Sequence, residues 1–276
     1  MTKSTEVGTD SALLFEKANG VATLTLNRPT TRNALTASMF LDMERLLIEI
    51  EADDAVRVVV ITGTGRGFSS GADLKPESDA ERGRKRSAGF PGDQGGDLLD
   101  RANRCMLRLH RLPKPVIGSI NGDAVGVGCS LALATDLRIA SDVARLGVVF
   151  SRRGLGPDGG ASYFLRNLVG PAKALELLYL GDLIDASEAL RIGLVNRVVS
   201  ADELEKATSK LAERLASGAP LAYRAAKTAV YEGAGLPLES VLDLEARNQK
   251  IVGRSRDVRE GVQAFLEKRK PEFRGE

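Results

Sequence analysis

Tryptophan is absent from the 276 residues, histidine occurs once and cysteine twice. The single histidine, His110, leaves a zinc or iron site without its usual imidazoles, so carboxylates or thiols would have to replace them; no metal is expected. Cys105 and Cys129 form no C-x-x-C pair, and a chain this long gains little from one bridge, so both read as reduced thiols. Charge of one sign is scarce too. The 39 Lys and Arg nearly balance 37 Asp and Glu, a formal net charge of +2, which gives no global field to recruit nucleic acid. No run approaches the roughly 18 apolar residues of a membrane span, and residues 1–10 lack a basic-then-apolar signal pattern. The expectation is a cytoplasmic protein with neither nucleic-acid nor membrane partner. What is present is 43% hydrophobic residues, ample for a sizeable core.

Residues 13–15, then Asn19-Gly20, then 21–26 alternate as two strands about a hairpin turn. From Thr36 onward Met39, Phe40, Met43, Leu46, Leu47 and Ile50 keep a helical period, and 56–61 is a continuous apolar run suited to a buried strand. Residues 76–97 are rich in charge and glycine, show neither period and are long for a loop, so a mobile lid is expected there. A helix over 98–111, a strand over 115–120, a glycine-rich turn over 121–130 and the apolar residues 131–134 follow. Further strands are expected over 136–140 and near 195–199, with helices over 159–168 and 171–180. Ser200-x-x-Glu203 reads as a capping box, and Pro220 and Pro237 are placed to open helices. The chain thus divides into a core over 1–200, whose returning strand-turn-helix units suit a coiled stack of ββα layers, and a helical region over 201–276.

Gly67-Phe-Ser-Ser-Gly71 matches G-x-S-x-G, which would make Ser69 a hydrolase nucleophile. Against that, residues 63–66 separate the motif from its strand, and the triad order needs a late histidine where His110 comes early. His110 lies on an amphipathic helix and reads as a packing or surface residue. Gly63, Gly65 and Gly67 follow a buried strand, but their spacing fits neither G-x-G-x-x-G nor the P-loop; a flexible turn is the plainer reading. More telling are two glycine-rich turns, Gly71-Ala-Asp-Leu74 and Ile120-Asn-Gly-Asp-Ala-Val-Gly-Val-Gly128, each after a buried strand and each expected to precede a helix. Such turns aim free backbone N–H groups at one point, where a helix N-terminus adds partial positive charge. A pair of them can form an oxyanion hole.

Leu26-Asn-Arg-Pro29 with Asn33-Ala-Leu35, Arg57-Val-Val-Val-Ile-Thr-Gly63, Phe68-Ser-Ser-Gly-Ala-Asp-Leu74, Lys114-Pro-Val116, Asn121-Gly122 and Ala189-Leu-Arg-Ile-Gly-Leu-Val195 resemble, in order, the signature blocks of the crotonase (enoyl-CoA hydratase/isomerase) superfamily. The likeness spans roughly residues 13–199, and 261–269 looks like that family's closing helix. It implies an α/β spiral of ββα units with a C-terminal helical region, acting on an acyl-CoA thioester by stabilising an enolate-like oxyanion. Coenzyme A would be part of the substrate, and no separate cofactor is implied. The donors would be the amides of Ala72 and Val127, and Ser130, Phe150, Gly159 and Leu74 would line the pocket.

Hydratases of the family hold water between two glutamates, and the corresponding positions here are Ser130 and Phe150. Neither is a carboxylate. Asp158, in Gly156-Pro-Asp-Gly-Gly160, matches the position where isomerases of the superfamily and its aryl-CoA dehalogenase carry an acid/base or nucleophilic aspartate; its plainer role would be to cap the next helix. The dehalogenase also needs a histidine and a tryptophan in the site. One carboxylate with an oxyanion hole suffices for double-bond isomerisation, which fits best. Hydration, a non-catalytic acyl-CoA binder and a serine hydrolase at Ser69 stand as alternatives. The resemblance further implies that Arg28 and Lys75 lie along the CoA, that Lys227, Phe265 and Lys268 close the site, and that the chain assembles as a homotrimer or a dimer of trimers.

Overall fold

The computed structural model describes residues 11–74 and 96–276. The stretch read as a lid therefore lies outside the described residues except for Gly96 and Asp97, as does Lys75. The chain opens on a hairpin, β1 (Leu13–Ala18) and β2 (Val21–Leu26), paired antiparallel from Leu13 opposite Leu26 to Ala18 opposite Val21. Asn19 and Gly20 both take positive φ, 51° and 79°, the two-residue turn whose twist matches the strands. The Thr36 hydroxyl accepts from the Met39 amide and starts α1 (Ala37–Ala52), whose Met39, Phe40, Met43, Leu47 and Ile50 are fully buried.

Beyond α1 the strands alternate between two sheets. β3 (Val58–Gly63), β5 (Val116–Ile120), β7 (Leu137–Ser141) and β10 (Arg197–Val199) extend the hairpin into a six-stranded sheet, order β1-β2-β3-β5-β7-β10, parallel from β2 onward. β4 (Gly67–Ser69), β6 (Asp123–Val125), β8 (Arg145–Gly147) and β9 (Ile184–Asp185) build a second sheet in that order. Each of β3–β4, β5–β6 and β7–β8 thus gives one strand to each sheet before the chain turns back. That is the coiled stack of ββα layers expected from the returning units.

Two helices follow the later pairs, α3 (Val127–Leu133) and α4 (Ala161–Leu180), while α2 (Leu98–Arg111) precedes β5. Asp97 caps α2, its Oδ1 accepting from the Leu99 and Asp100 amides at 2.9 and 3.0 Å. β3 alternates as a doubly covered strand must: Val59 and Ile61 enter the main core, whereas Val58 and Val60 join Ile117, Ala212 and Ala216 on the other face. Those two alanines belong to α6 (Leu204–Ala216), which follows the short α5 (Ala186–Arg191). Then come α7 (Pro220–Glu232), α8 (Leu238–Val252) and α9 (Arg256–Glu267), the expected helical end. Among the described residues no helix is long and apolar enough to cross a membrane.

Two local expectations are corrected and a third is met. Ser200 makes no capping box: its side chain caps nothing, and residues 201–203 form a 3-10 turn that leads directly into α6. The helix expected from residue 159 begins at Ala161, because Gly159 and Gly160 both hold positive φ, 56° and 80°, and cannot continue a helical turn. The two helices expected over 159–168 and 171–180 are both present within α4, parted by a kink at Gly170 (φ 75°, ψ 167°) just before Pro171.

Candidate active site

The two glycine turns meet. Gly71 has φ +96°, and a Cβ placed on it would lie 2.8 Å from the Val125 carbonyl oxygen and 3.8 Å from the Gly126 Cα. Only glycine lets the first turn rest on the second. A side chain on Gly128 would strike Ser69 at 2.6 Å, so that glycine too is set by close approach rather than by φ.

The backbone directions follow from the hydrogen bonds. Ala72 bridges Leu35 in parallel: the Leu35 amide donates to the Gly71 carbonyl at 2.8 Å and the Asp73 amide to the Leu35 carbonyl at 2.9 Å. In such a bridge the N–H of Ala72 itself points away from Leu35. Val127 is the first residue of α3, and its amide has no acceptor within the helix. Gly126, at φ 55° and ψ −129°, is tied by its own amide to the Gly147 carbonyl at 2.8 Å, which fixes the angle at which α3 starts. Two backbone N–H groups on touching turns, one of them at a helix N-terminus, are the kind of donors that can stabilise a developing negative charge.

Asn33 braces the chain around the first turn, and nothing in its own type announces it. Fully buried and left-handed (φ 56°), it donates from Nδ2 to the Thr64 and Gly67 carbonyls at 2.9 and 2.8 Å and accepts from the Arg28 amide at 2.8 Å. Arg28, expected along CoA, is engaged within the chain: Nη2 pairs with Asp73 at 2.8 Å and Nη1 donates to the Ala34 carbonyl at 2.6 Å. It clasps the residue after Ala72. Ser69 is fully buried; its Oγ donates to the Asn33 carbonyl at 2.8 Å and accepts from the Gly71 amide at 3.2 Å. A hydroxyl so placed is a turn fastener, not an exposed nucleophile.

Asp158 lies against the second turn. A Cβ on its neighbour Gly159 would sit 3.0 Å from the Ser130 Cβ and 3.2 Å from the Val127 Cγ2, and the Ser130 hydroxyl donates to the Asp158 carbonyl at 3.0 Å. The capping role does not materialise. The N-cap of α4 is Gly160, without a side-chain cap, and the Ala161 amide bonds to the Asp158 backbone carbonyl at 3.1 Å. The carboxylate is spared: its Oδ1 is buried with no hydrogen-bond partner among the described residues. Burial raises the pKa above the ordinary aspartate value, the direction a proton-transfer base requires.

Ser130 is fully buried and Phe150 is 6% exposed within the core, so neither brings a second charge. Leu74 is 65% exposed at the edge of the described residues. A cleft of about 760 Å³ opens between α2, the start of α4, and α7, with Gly160 on its wall; Asp158 itself does not line it. There His110 stands among rings, its centroid 4.1 Å from Tyr231 and 5.6 Å from both Tyr163 and Phe164. Lys227, expected to close over CoA, lines this cleft but is bound inside the chain: Nζ meets Asp136 Oδ2 at 2.9 Å and the Lys114 carbonyl at 3.3 Å. Phe265 is 82% exposed on α9, in a separate groove with Leu221 and Phe273, and Lys268 ends that helix in a left-handed turn. Within one chain neither borders the cleft around His110. Both cysteines are free and buried, and burial lifts the Cys129 thiol to about 12. Among the described residues no three His, Cys, Asp or Glu side chains gather as a metal site would require.

Comparison with known proteins places the chain in a family. Residues 16–276 match the enoyl-CoA hydratase/isomerase family. The chain is 38% identical over 264 residues to the 1,2-epoxyphenylacetyl-CoA isomerase of Escherichia coli (strain K12), covering 95% of this chain and 98% of that one. It is 36% identical over 262 residues to the crotonyl-CoA hydratase of Syntrophomonas wolfei subsp. wolfei, covering 95% and 97%. Among solved structures, the enoyl-CoA hydratase from Bacillus anthracis superposes with a TM-score of 0.87 at 35% identity, over 96% of this chain and all of that one. The chain is a crotonase-fold member of the enoyl-CoA hydratase/isomerase family.

Proposed function

We propose that the protein moves a double bond within an enoyl-CoA thioester, with Asp158 as the single acid/base and the amides of Ala72 and Val127 holding the thioester oxygen. The observation that carries this reading is the Asp158 carboxylate: half-buried, unpartnered at Oδ1, raised in pKa by burial and seated beside Val127. As a carboxylate it takes a proton from C2 of a 3-enoyl ester. The electron pair moves onto the thioester oxygen, whose charge the two N–H groups stabilise, each such donor being worth about 3 to 4 kcal/mol. The carboxylic acid so formed returns the proton to C4, and the double bond comes to rest between C2 and C3. No water is consumed and no second base is needed, which suits a site where Ser130 and Phe150 stand in the places of the hydratases' glutamates. The Ser130 hydroxyl is in addition committed to the Asp158 carbonyl, which argues against its holding a water for addition.

The test is product analysis by mass spectrometry and NMR after incubation with a 3-enoyl-CoA and, separately, a 2-enoyl-CoA in deuterated water. Conversion of the 3-enoyl ester to its 2-enoyl isomer, with no mass of water gained, is expected. Addition of water to the 2-enoyl ester as the dominant reaction would make the chain a hydratase. Tight binding with no deuterium entering C2 would leave an acyl-CoA binder without catalysis.

A further inference from the structure

Asp158 belongs to a stretch that its own neighbours do little to hold. Residues 151–157 are all exposed, and a Cβ added at Gly154 or Gly156 would meet nothing within 4 Å. The last backbone bond before the aspartate runs from the Leu155 amide to the Phe150 carbonyl at 3.1 Å. After it, Gly159 and Gly160 both lie at positive φ, 56° and 80°, and glycine is the residue that leaves the backbone freest. Among the described residues two hydrogen bonds hold residues 156–159, and both end on the Asp158 carbonyl. One comes from the Ala161 amide at 3.1 Å, three residues along the same chain segment. The other comes from the Ser130 hydroxyl at 3.0 Å and is the one that reaches a different element, α3.

That hydroxyl has an alternative within its own helix. A helical serine can donate back to the carbonyl four residues before it, here Gly126, but that oxygen lies 3.4 Å away and already takes the Ser130 amide at 3.0 Å. With one hydrogen to give, Ser130 directs it out of α3 to Asp158. The fit around the bond is close. A Cβ on Gly159 would sit 3.0 Å from the Ser130 Cβ and 3.2 Å from the Val127 Cγ2, so two residues of one face of α3 meet the aspartate's segment. We infer that Ser130 is a positioning residue: it ties the Asp158 main chain to the helix that begins at Val127, and so fixes where the unpartnered carboxylate stands. The hydroxyl holds the carbonyl, not the carboxylate, and moves no proton itself. This inference rests on the acid/base reading of Asp158 and adds what keeps that base in place.

Turnover of a 3-enoyl-CoA by Ser130→Ala, Asp158→Asn and the double variant tests it, together with an NMR titration of the Asp158 carboxyl carbon, assigned by its absence from Asp158→Asn. Alanine favours the helix, and the Asp158 carbonyl keeps its Ala161 donor, so Ser130→Ala should fold. Its kcat is expected to fall about tenfold with KM within about twofold, since a base displaced by about 1 Å is a poorer base. In the Asp158→Asn background the same substitution should cost less than about twofold, because a residue that acts through Asp158 has nothing left to act on. The carboxyl should titrate above the ordinary aspartate range in the native protein and move toward that range in Ser130→Ala, as the freed side chain turns to solvent. An equal fold loss in both backgrounds, or a titration that Ser130→Ala leaves unmoved, overturns the inference. Full turnover in Asp158→Asn alone would instead sink the acid/base reading, and the titration, which needs no turnover, would still decide whether Ser130 places the side chain.

Discussion

Two aspartates of this chain are held in opposite ways. Asp136, just before β7, is enclosed by partners: its carboxylate accepts from the Val116 amide at 2.8 Å, from Lys227 at 2.9 Å and from the Tyr231 hydroxyl at 2.8 Å. Asp158 has no partner for Oδ1 among the described residues, and burial raises its pKa. A buried carboxylate with every lone pair engaged contributes to the fold and has nothing left to offer a substrate. One that is buried and unengaged costs stability, and a fold retains such a cost where the group is used.

The sharpest way to break the comparison is Asp158→Asn. Turnover of a 3-enoyl-CoA should fall by about a hundredfold or more, since the amide cannot take the proton. The same variant should melt at a higher temperature than the native protein. The sign follows from the raised pKa: the carboxyl's contribution to stability is complete below the ordinary value of 3.8 and is lost as pH rises through the raised folded value, so at neutral pH the ionised group opposes folding. For the same reason the acid limb of native turnover should lie above the ordinary aspartate range. A lower Tm in the variant, or an acid limb near 3.8, would show that Asp158 is a partnered structural group after all.

Asp136→Asn should do the reverse. Removing one charge from a pair whose side chains are only 11% and 16% exposed leaves Lys227 buried against neutral neighbours, and breaking such a pair costs about 3 to 5 kcal/mol. Urea unfolding should register that loss, whereas turnover per folded molecule should change far less than in Asp158→Asn. Loss of turnover with stability intact would move Asp136, and α7 with it, into the site.

The two aspartates were unequally legible before the structure. Asp158 stood in a local motif, with two glycines after it and a helix due next, so a residue type and a spacing sufficed to single it out. What the motif left open was cap or base. The left-handed Gly159 and Gly160 remove the capping role by starting α4 two residues late, with Gly160 as its N-cap. The two glycine turns were legible for the same reason: Gly71 is required by close approach to the second turn and Gly126 by its backbone angles. Asp136 was not. Its partners Val116, Lys227 and Tyr231 lie 20, 91 and 95 residues away, and no periodicity carries information over such distances. Lys227 accordingly read as a surface cation for CoA, and the ring cluster around His110, drawn from α2, α4 and α7, went unread beyond a packing role. Ser200 failed in the other direction: its capping-box spacing is correct, but the 3-10 turn over 201–203 intervenes before α6.

The smallest effect should come from Arg28, which resembles Asp136 in being paired and Asp158 in lying beside the chemistry. Its guanidinium joins Asp73 and the Ala34 carbonyl, on either side of the Leu35–Ala72 bridge that turns the Ala72 amide away from Leu35. The pair is partly exposed, at 23% and 14%, and a pair so placed contributes little to global stability. Its value is in aim, since an oxyanion donor acts only when fixed where the charge develops. Arg28→Met should therefore lower kcat severalfold while shifting Tm by no more than about 2 °C, the effect of a change below 1 kcal/mol in a chain of this size. If KM rises instead and kcat holds, Arg28 spends its charge on the CoA, as the family resemblance implied, and the clasp on Asp73 is incidental.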